Sequence, residues 1–341
     1  MSEVSATPAL EVVICTYNNG AMLDGVLSTL ACQRPVETAS WSCLVVDNNC
    51  TDDTPNVIGR HILAGAIPDL RTVRESKQGL TSARLRGARS TTAQWIAFVA
   101  DDCFLQSDWM AQAIAFAESH SWVGAFGGRV VLDWEAEPPR YVRAYGYCFA
   151  EQNHGNFPQQ VTFLAGAGLV VNRLALSACG WIDAPLLADR VGEKLVSGGD
   201  VEIALRIAGI GRELWYVPQC VLNHRIPARR FSPRYLINVN RNLGISQALA
   251  DAFISADPIS SWLFESIFKV AKQTLGLARV TFDVTRKRKA SAELILQASF
   301  KLGQLQGIWR VLTMSPSRRR ELLGRARPGS GRDLSRPGEV G

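Results

Sequence analysis

Three times in the first 102 residues a short, largely apolar run breaks off at polar or acidic side chains: residues 10–15 before Thr16 and Tyr17, residues 41–46 before Asp47, and residues 95–100 before Asp101 and Asp102. Runs this short and this rich in valine and isoleucine suit strands covered on both faces of a parallel sheet. The segments between them carry helical periodicity: 20–33, 54–64 with Pro55 fitted to a first turn, and 80–90 with Ala83, Leu85 and Ala88 on one side. Residues 70–74 add a further short strand. Alternation of this kind connects its strands through right-handed crossovers. The expected class is therefore α/β, a mostly parallel sheet with flanking helices. Ligands of open α/β sheets sit beyond the carboxyl ends of the strands, and Thr16, Tyr17, Asp47, Asp101 and Asp102 all fall there.

The pair Asp101-Asp102 is the sharpest chemical feature. Adjacent carboxylates repel each other unless a cation or several donors hold them. Hard oxygen ligands suit Mg²⁺ or Mn²⁺, and such ions bring substrate phosphates with them. The plainer alternative is an acidic loop ahead of a helix at 108–119 that Ser107 caps. The net charge of +6 does not indicate nucleic acid. Residues 315–341 hold seven arginines against three acids, and no basic stripe interleaved with aromatics occurs. That arginine-, glycine- and proline-rich end is expected to be a disordered tail. The eight cysteines are scattered without a C-x-x-C pair, and several lie inside apolar runs, as reduced buried thiols do. Residues 1–9 lack a basic segment followed by an apolar core, and no 18-residue apolar window occurs. A cytoplasmic protein is expected.

The common phosphate and hydrolase motifs are missing. There is no G-x-x-x-x-G-K-[ST], no G-x-S-x-G and no H-E-x-x-H, and Gly166-Ala167-Gly168 lacks a third glycine and lies far from the first strand. Instead, Val13-Ile14-Cys15-Thr16-Tyr17-Asn18, Val45-Val46-Asp47-Asn48-Asn49-Cys50-Thr51-Asp52, Gly79-Leu80-Thr81-Ser82-Ala83-Arg84-Leu85-Arg86-Gly87 and Phe98-Val99-Ala100-Asp101-Asp102 stand in an order and spacing of their own. With Gly180-Trp181-Ile182-Asp183 and Ser197-Gly198-Gly199-Asp200-Val201-Glu202 downstream, the set resembles family 2 glycosyltransferases of the GT-A (nucleotide-diphospho-sugar transferase) fold. The resemblance spans about residues 10–245 and is closest in flavour to bacterial enzymes of surface or hormogonium-type polysaccharides.

The resemblance implies a nucleotide-sugar donor, a UDP-sugar first, and a divalent metal, Mg²⁺ or Mn²⁺. It implies that Asp47 accepts from the base N–H with Thr16 and Tyr17 packed around the base, that Arg84 reaches the base or diphosphate, that Asp101 contacts the ribose, and that Asp102 holds the ion. The family often shows D-x-D where this chain has Asp101-Asp102-Cys103. A thiol is a poor ligand for a hard ion, so one carboxylate with waters and phosphate oxygens is expected. Asp200, ahead of a helix at 201–208, is the implied general base of an inverting transfer, with Glu202 in reserve. Gly199 stands where the family usually has Glu. His224 resembles a downstream histidine that approaches the metal or leaving phosphate. Each residue also has a plainer reading: a turn cap for Asp47, a surface arginine for Arg84, a first-turn acid for Asp200 and a satisfied structural residue for His224.

Arg225, Arg229 and Arg230 follow on a loop that could close over the diphosphate. Helical periodicity resumes at 233–253, 259–277 and 292–312, with Trp262, Phe264, Ile267, Phe268 and Leu275 along one side of the second helix. Such helices pack on a catalytic domain or lie in a membrane interface. The expected organisation is an N-terminal tail (1–9), a GT-A domain (10–230), a C-terminal helical appendage (231–314) and the basic tail (315–341). Expected partners are the nucleotide-sugar donor and a saccharide or polyprenyl-linked acceptor, with peripheral contact at the cytoplasmic membrane face and no nucleic acid. Two rivals remain. A sugar-phosphate nucleotidyltransferase should carry a basic glycine-rich loop after the first strand, where residues 16–20 have no Lys or Arg. An inactive GT-A-like binding protein is the other.

Overall fold

The computed structural model describes residues 7–37, 39–187, 198–255, 259–287 and 291–323. Ser197 and most of the expected terminal tails therefore lie outside the described residues. Strand β1 (Leu10–Thr16) leads into helix α1 (Gly20–Ala31), β2 (Trp41–Asp47) into α2 (Thr54–Ala64), and β3 (Leu70–Arg74) into α3 (Leu80–Ser90). Strand β4 (Trp95–Ala100) passes through the short β5 (Cys103–Leu105) into α4 (Trp109–Ser119). Then come β6 (Ala125–Trp134), α5 (Arg140–Arg143), β7 (Gln159–Gln160), β8 (Leu169–Asn172), α6 (Arg173–Ala178), α7 (Gly199–Gly209) and β9 (Leu214–Ile226). Helices α8 (Pro233–Ile254), α9 (Ile259–Lys287), α10 (Ser291–Thr313) and α11 (Pro316–Leu322) follow.

One sheet carries the strands in the order β3-β2-β1-β4-β8-β6-β9-β5, with β7 paired to β9. The first four strands are parallel, as the alternation of short apolar runs and helices requires. Beyond β4 the sheet is mixed: β8 is antiparallel to β4 and β6, whereas β6 and β9 are parallel. Alternate residues of the central strands feed two cores. Val12, Ile14, Val45, Ala97 and Val99 pack against α1, α2 and α4 through Leu23, Leu27, Val57 and Ile114. Val13, Leu44, Val46, Ile96 and Phe98 pack against α3, α6 and α7 through Ala83, Leu176 and Ile203. Both faces are covered, which is why these strands read as continuous apolar runs.

Residues 161–168 form a loop in which Gly168 turns at φ 71°, and only Leu169–Asn172 are extended, as β8. Strand β9 runs through Pro218. Its register against β6 shifts there, so that residues 218–221 stand opposite Arg129 alone. A bulge of this kind accommodates a residue without an N–H donor. Finally, residues 315–323 are not part of a disordered tail. The Ser315 hydroxyl accepts from the Arg318 N–H and starts α11, and Leu322 is buried with Phe253, Trp262 and Val311.

The C-terminal helices are anchored to the sheet domain. Leu236 and Val239 of α8 and Leu296 of α10 share a core with Val142, Phe149, Ile226 and Phe231. On α9 the expected single apolar side is divided: Trp262 is buried, whereas Phe264, Ile267, Phe268 and Leu275 are exposed. Two residues along a helix is about 200° of rotation, so Trp262 and Phe264 cannot share a face.

Candidate functional site

The carboxyl ends of β1 and β4 and the start of α3 enclose a cavity of about 370 Å³ whose walls include Thr16, Tyr17, Arg84, Asp101, Asp102 and Arg230. The register sets Cys15 opposite Ala100, which brings Thr16 beside Asp101. The Thr16 hydroxyl donates to Asp101 Oδ2 at 2.7 Å. Burial first, and the neighbouring Asp102 charge second, push the Asp101 carboxyl up to about 6, while bonds from Thr16 and Asn19 and the charge of Arg230 pull the other way. Tyr17 stands at the rim, 44% exposed. Arg84 is no surface arginine: it is buried on α3 with its guanidinium carbon 5.8 Å from the Phe98 ring centroid.

Asp47 has a different place. Its Oδ1 accepts the Cys50 N–H at 2.7 Å, capping the turn after β2, and among the described residues the cavity wall holds Asn48 instead. Asn48 pins the loop that enters α3, donating to the carbonyls of Glu75 and Lys77 at 3.0 and 2.9 Å and accepting the Gly79 N–H at 2.8 Å. Gly79 turns there at φ 130°, a conformation that a β-carbon would strain.

At the inner edge of the cavity the β5–β9 pairing sets His224 opposite Cys103, and the Arg225 N–H donates to the Asp102 carbonyl at 2.8 Å. Consequently His224 Nε2 lies 3.3 Å from Asp102 Oδ2. The other ring nitrogen, Nδ1, is 2.7 Å from the Phe149 carbonyl oxygen. A carbonyl only accepts, so in the neutral ring Nδ1 carries the hydrogen and Nε2 turns a lone pair toward the carboxylate. Two lone pairs facing each other repel unless a proton on the ring or a metal ion lies between them. Neighbouring ligands of an octahedral ion are about 3.0 Å apart, and histidine ligands usually anchor their second nitrogen on an acceptor in this way. Asp102 and His224 thus fit a divalent ion. Cys103 completes the cluster in position only: burial raises its thiol well above the ordinary value, so it stays protonated. Arg230 also reaches Asp102 Oδ2, at 3.2 Å.

Asp200 lies in the first turn of α7 and faces a second cavity of about 350 Å³ that His224 also lines. Gly166 and Arg230 belong to the walls of both cavities. A β-carbon on Gly166 would fall 2.3 Å from Asp200 Oδ2, so the glycine is what lets this carboxylate occupy the junction. Glu202, held in reserve as a base, is instead a structural group. It is fully buried, accepts from the N–H groups of Leu186 and Leu187 and from Arg206 Nε at 2.7 Å, and lines neither cavity among the described residues.

A sequence model of Glycosyl transferase family 2 matches residues 11–179. A glucosyl-dolichyl phosphate glucuronosyltransferase from Haloferax volcanii is 26% identical over 226 residues, 64% of this chain and 69% of the relative. The chain is a family 2 glycosyltransferase. Its fold is shared with a mannosyltransferase from Pyrobaculum calidifontis in complex with GDP-Man and Mn²⁺, with a TM-score of 0.59, 18% identity, and coverage of 90% of this chain and 88% of that one. It is shared also with S. aureus TarS in complex with UDP-GlcNAc, with a TM-score of 0.51, 13% identity, and coverage of 88% and 91%.

In this glycosyltransferase the family match ends ahead of Asp200, His224 and Arg230. The contact of Arg230 with Asp102, the pinning role of Asn48 and the space left by Gly166 escaped sequence reasoning. The loop arginines were a visible signal, but their target depends on the register of β9 against β5. Arg225, from the same arginine-rich segment, pairs with Asp133 at 2.8 Å instead.

Proposed function

We propose that this glycosyltransferase moves a sugar, with inversion at its anomeric carbon, from a nucleotide diphosphate sugar onto a hydroxyl of a saccharide or lipid-linked acceptor in polysaccharide biosynthesis. The observation that carries this reading is the meeting of two chemistries across Gly166: the Asp102–His224 pair at one cavity and the Asp200 carboxylate at the other. Asp200 takes the proton of the acceptor hydroxyl, whose oxygen bonds to the anomeric carbon. The bond from that carbon to the phosphate oxygen breaks, and its electron pair leaves with the nucleoside diphosphate. A divalent ion, Mg²⁺ or Mn²⁺, supplies countercharge for the diphosphate; Asp102 and His224 are the residues assigned to hold it.

Arg84, Arg229 and Arg230 surround the same cavity with guanidinium groups suited to phosphate oxygens. Thr16 and Asp101, already bonded to each other, are assigned to the ribose, and Tyr17 at the rim to the base. Asp47, which caps the turn at Cys50 beside Asn48 rather than lining the cavity, is assigned no contact with the donor. The P. calidifontis and S. aureus neighbours, bound to GDP-Man with Mn²⁺ and to UDP-GlcNAc, support a nucleotide sugar as donor, and we take a UDP-sugar first. The H. volcanii relative, a glucuronosyltransferase named for glucosyl-dolichyl phosphate, supports a lipid-linked acceptor.

No helix among the described residues is long and apolar enough to cross a membrane. The exposed Phe264, Ile267, Phe268 and Leu275 of α9, with Lys269 and Lys272 nearby, support peripheral contact with an anionic cytoplasmic membrane face. The test of the reaction is incubation with UDP-, GDP- and dTDP-sugars and Mn²⁺, with and without acceptors. Metal-dependent release of nucleoside diphosphate that rises with acceptor supports the proposal. Turnover of a sugar 1-phosphate with a nucleoside triphosphate, and of no nucleotide sugar, would overturn it.

A further inference from the structure

Asp102 offers its cavities one oxygen, and two groups already converge on it. The thiol of the buried Cys103 lies 3.9 Å from Oδ1, so that oxygen turns inward. His224 Nε2 and Arg230 Nη2 both approach Oδ2, at 3.3 and 3.2 Å. An ion held between His224 and Asp102 has to take the same oxygen. At about 2.1 Å from Oδ2, it would lie at most about 5 Å from the guanidinium nitrogen. Like charges that close repel each other unless an anion stands between them. A diphosphate is such an anion, and the cavity that Arg230 shares with Arg84 and Arg229 suits one. The turn that carries Arg230 is tied at both ends. The Ala228 N–H donates to Glu135 Oε2 at 2.6 Å, the Phe231 carbonyl accepts from the Tyr141 hydroxyl at 2.8 Å, and the Phe231 ring packs edge-on against Trp134. With the backbone fixed, the long side chain is the part that can swing.

We infer that Arg230 competes with the divalent ion for Asp102 and yields when a diphosphate draws its guanidinium away, so that ion and nucleotide bind as a linked pair. The inference rests on the donor reading proposed above and adds to it the residue that couples the two ligands. In the exchange the guanidinium trades a carboxylate oxygen for phosphate oxygens, and the ion takes the carboxylate it releases. By linkage, the affinity that Arg230 withholds from the ion in the nucleotide-free chain returns as extra affinity of each ligand for the other. A hydrogen bond between charged groups shifts such an equilibrium by about tenfold or more.

The test reads ion binding rather than turnover. Mn²⁺ affinity of the full, nucleotide-free chain is measured from the paramagnetic resonance signal of the free ion. UDP and GDP affinities are measured by calorimetry, with chelator and with saturating Mn²⁺. Arg230→Gln is expected to bind Mn²⁺ alone at least about tenfold more tightly than the parent. The gain in nucleoside diphosphate affinity that Mn²⁺ brings should shrink by the same factor. Arg225→Gln removes the same charge from the same segment, where Arg225 pairs with Asp133, and is expected to leave Mn²⁺ affinity within about threefold. Should Arg230→Gln fail to fold, Arg230→Met, which keeps an apolar stem, carries the test. Mn²⁺ affinity in the folded Arg230 variant equal to or weaker than the parent's, or an equal tightening in Arg225→Gln, overturns the inference. If Mn²⁺ still promotes nucleotide binding in the parent in that event, the donor reading stands. If Mn²⁺ promotes it in no chain, the donor reading falls as well.

Discussion

Gly166→Ala tests whether Asp200 works from the junction of the two cavities. Gly166 lies outside the left-handed region, so alanine meets no backbone penalty there, and the whole effect is local. The added methyl carbon would sit 2.3 Å from Asp200 Oδ2 and 2.8 Å from both its Cβ and its Cγ. Ordinary contacts begin near 3.4 Å, so the carboxylate must retreat by about 1 Å. A misplacement of that size costs on the order of a hundredfold in rate when the group acts in the transition state. Turnover should therefore fall about a hundredfold, while nucleotide-sugar affinity, measured by calorimetry with Mn²⁺ and no acceptor, stays within about threefold. Stability should fall by only about 1–3 kcal/mol, the usual cost of inserting a methyl group. The decisive control combines Gly166→Ala with Asp200→Asn. If the glycine acts through this carboxylate, the double variant should be no slower than Asp200→Asn alone. A parent-like rate for Gly166→Ala, or full additivity in the double variant, would refute the reasoning.

Three further outcomes are expected. Asp200→Asn alone should keep donor affinity and lose transfer by at least about a hundredfold, read from initial rates under saturating donor; transfer at the parent rate would remove Asp200 from the chemistry. Glu202→Gln leaves Arg206 charged and buried without its partner, and should cost about 3–5 kcal/mol in chemical denaturation; a loss below about 1 kcal/mol would mean that the pair is dispensable. The pH dependence follows from Asp101, whose carboxyl is raised from 3.8 to about 6. Because the folded chain holds this proton more tightly than the unfolded one, the group's contribution to stability is fully present below 3.8 and lost as pH rises through about 6. Binding of Mn²⁺ beside it should show the opposite trend and weaken as pH falls through about 6. An affinity that is flat between pH 5 and 7 would contradict this.

The cavity at the strand ends was legible in the sequence because it depends on local pattern. Each apolar strand ends where its polar residue begins, and parallel pairing brings such ends together at one edge of the sheet. Thr16, Asp101 and Asp102 follow from that rule. Their partner His224 does not, since it is delivered by antiparallel pairing of the three-residue β5 with β9, more than a hundred residues away. Gly166 was visible only as an incomplete phosphate motif, because its role is the room it leaves for a side chain 34 positions on. Glu202 and Asp200 could not be separated by spacing alone. They lie two residues apart in one helical turn, so one enters a core and the other faces a cavity. The face of α9 was misjudged for the same geometric reason, with Trp262 turned inward and its apolar neighbours outward.

The central claim is that the cavity at the strand ends takes a nucleotide sugar through a divalent ion held by Asp102 and His224. Calorimetric titration of UDP-sugar and GDP-sugar into the full chain, with Mn²⁺ and then with chelator, measures this directly in the parent and in Asp102→Asn. Donor binding should require the ion in the parent and lose at least about tenfold in the variant. Binding of equal strength with and without the ion, unchanged in Asp102→Asn, would contradict the account.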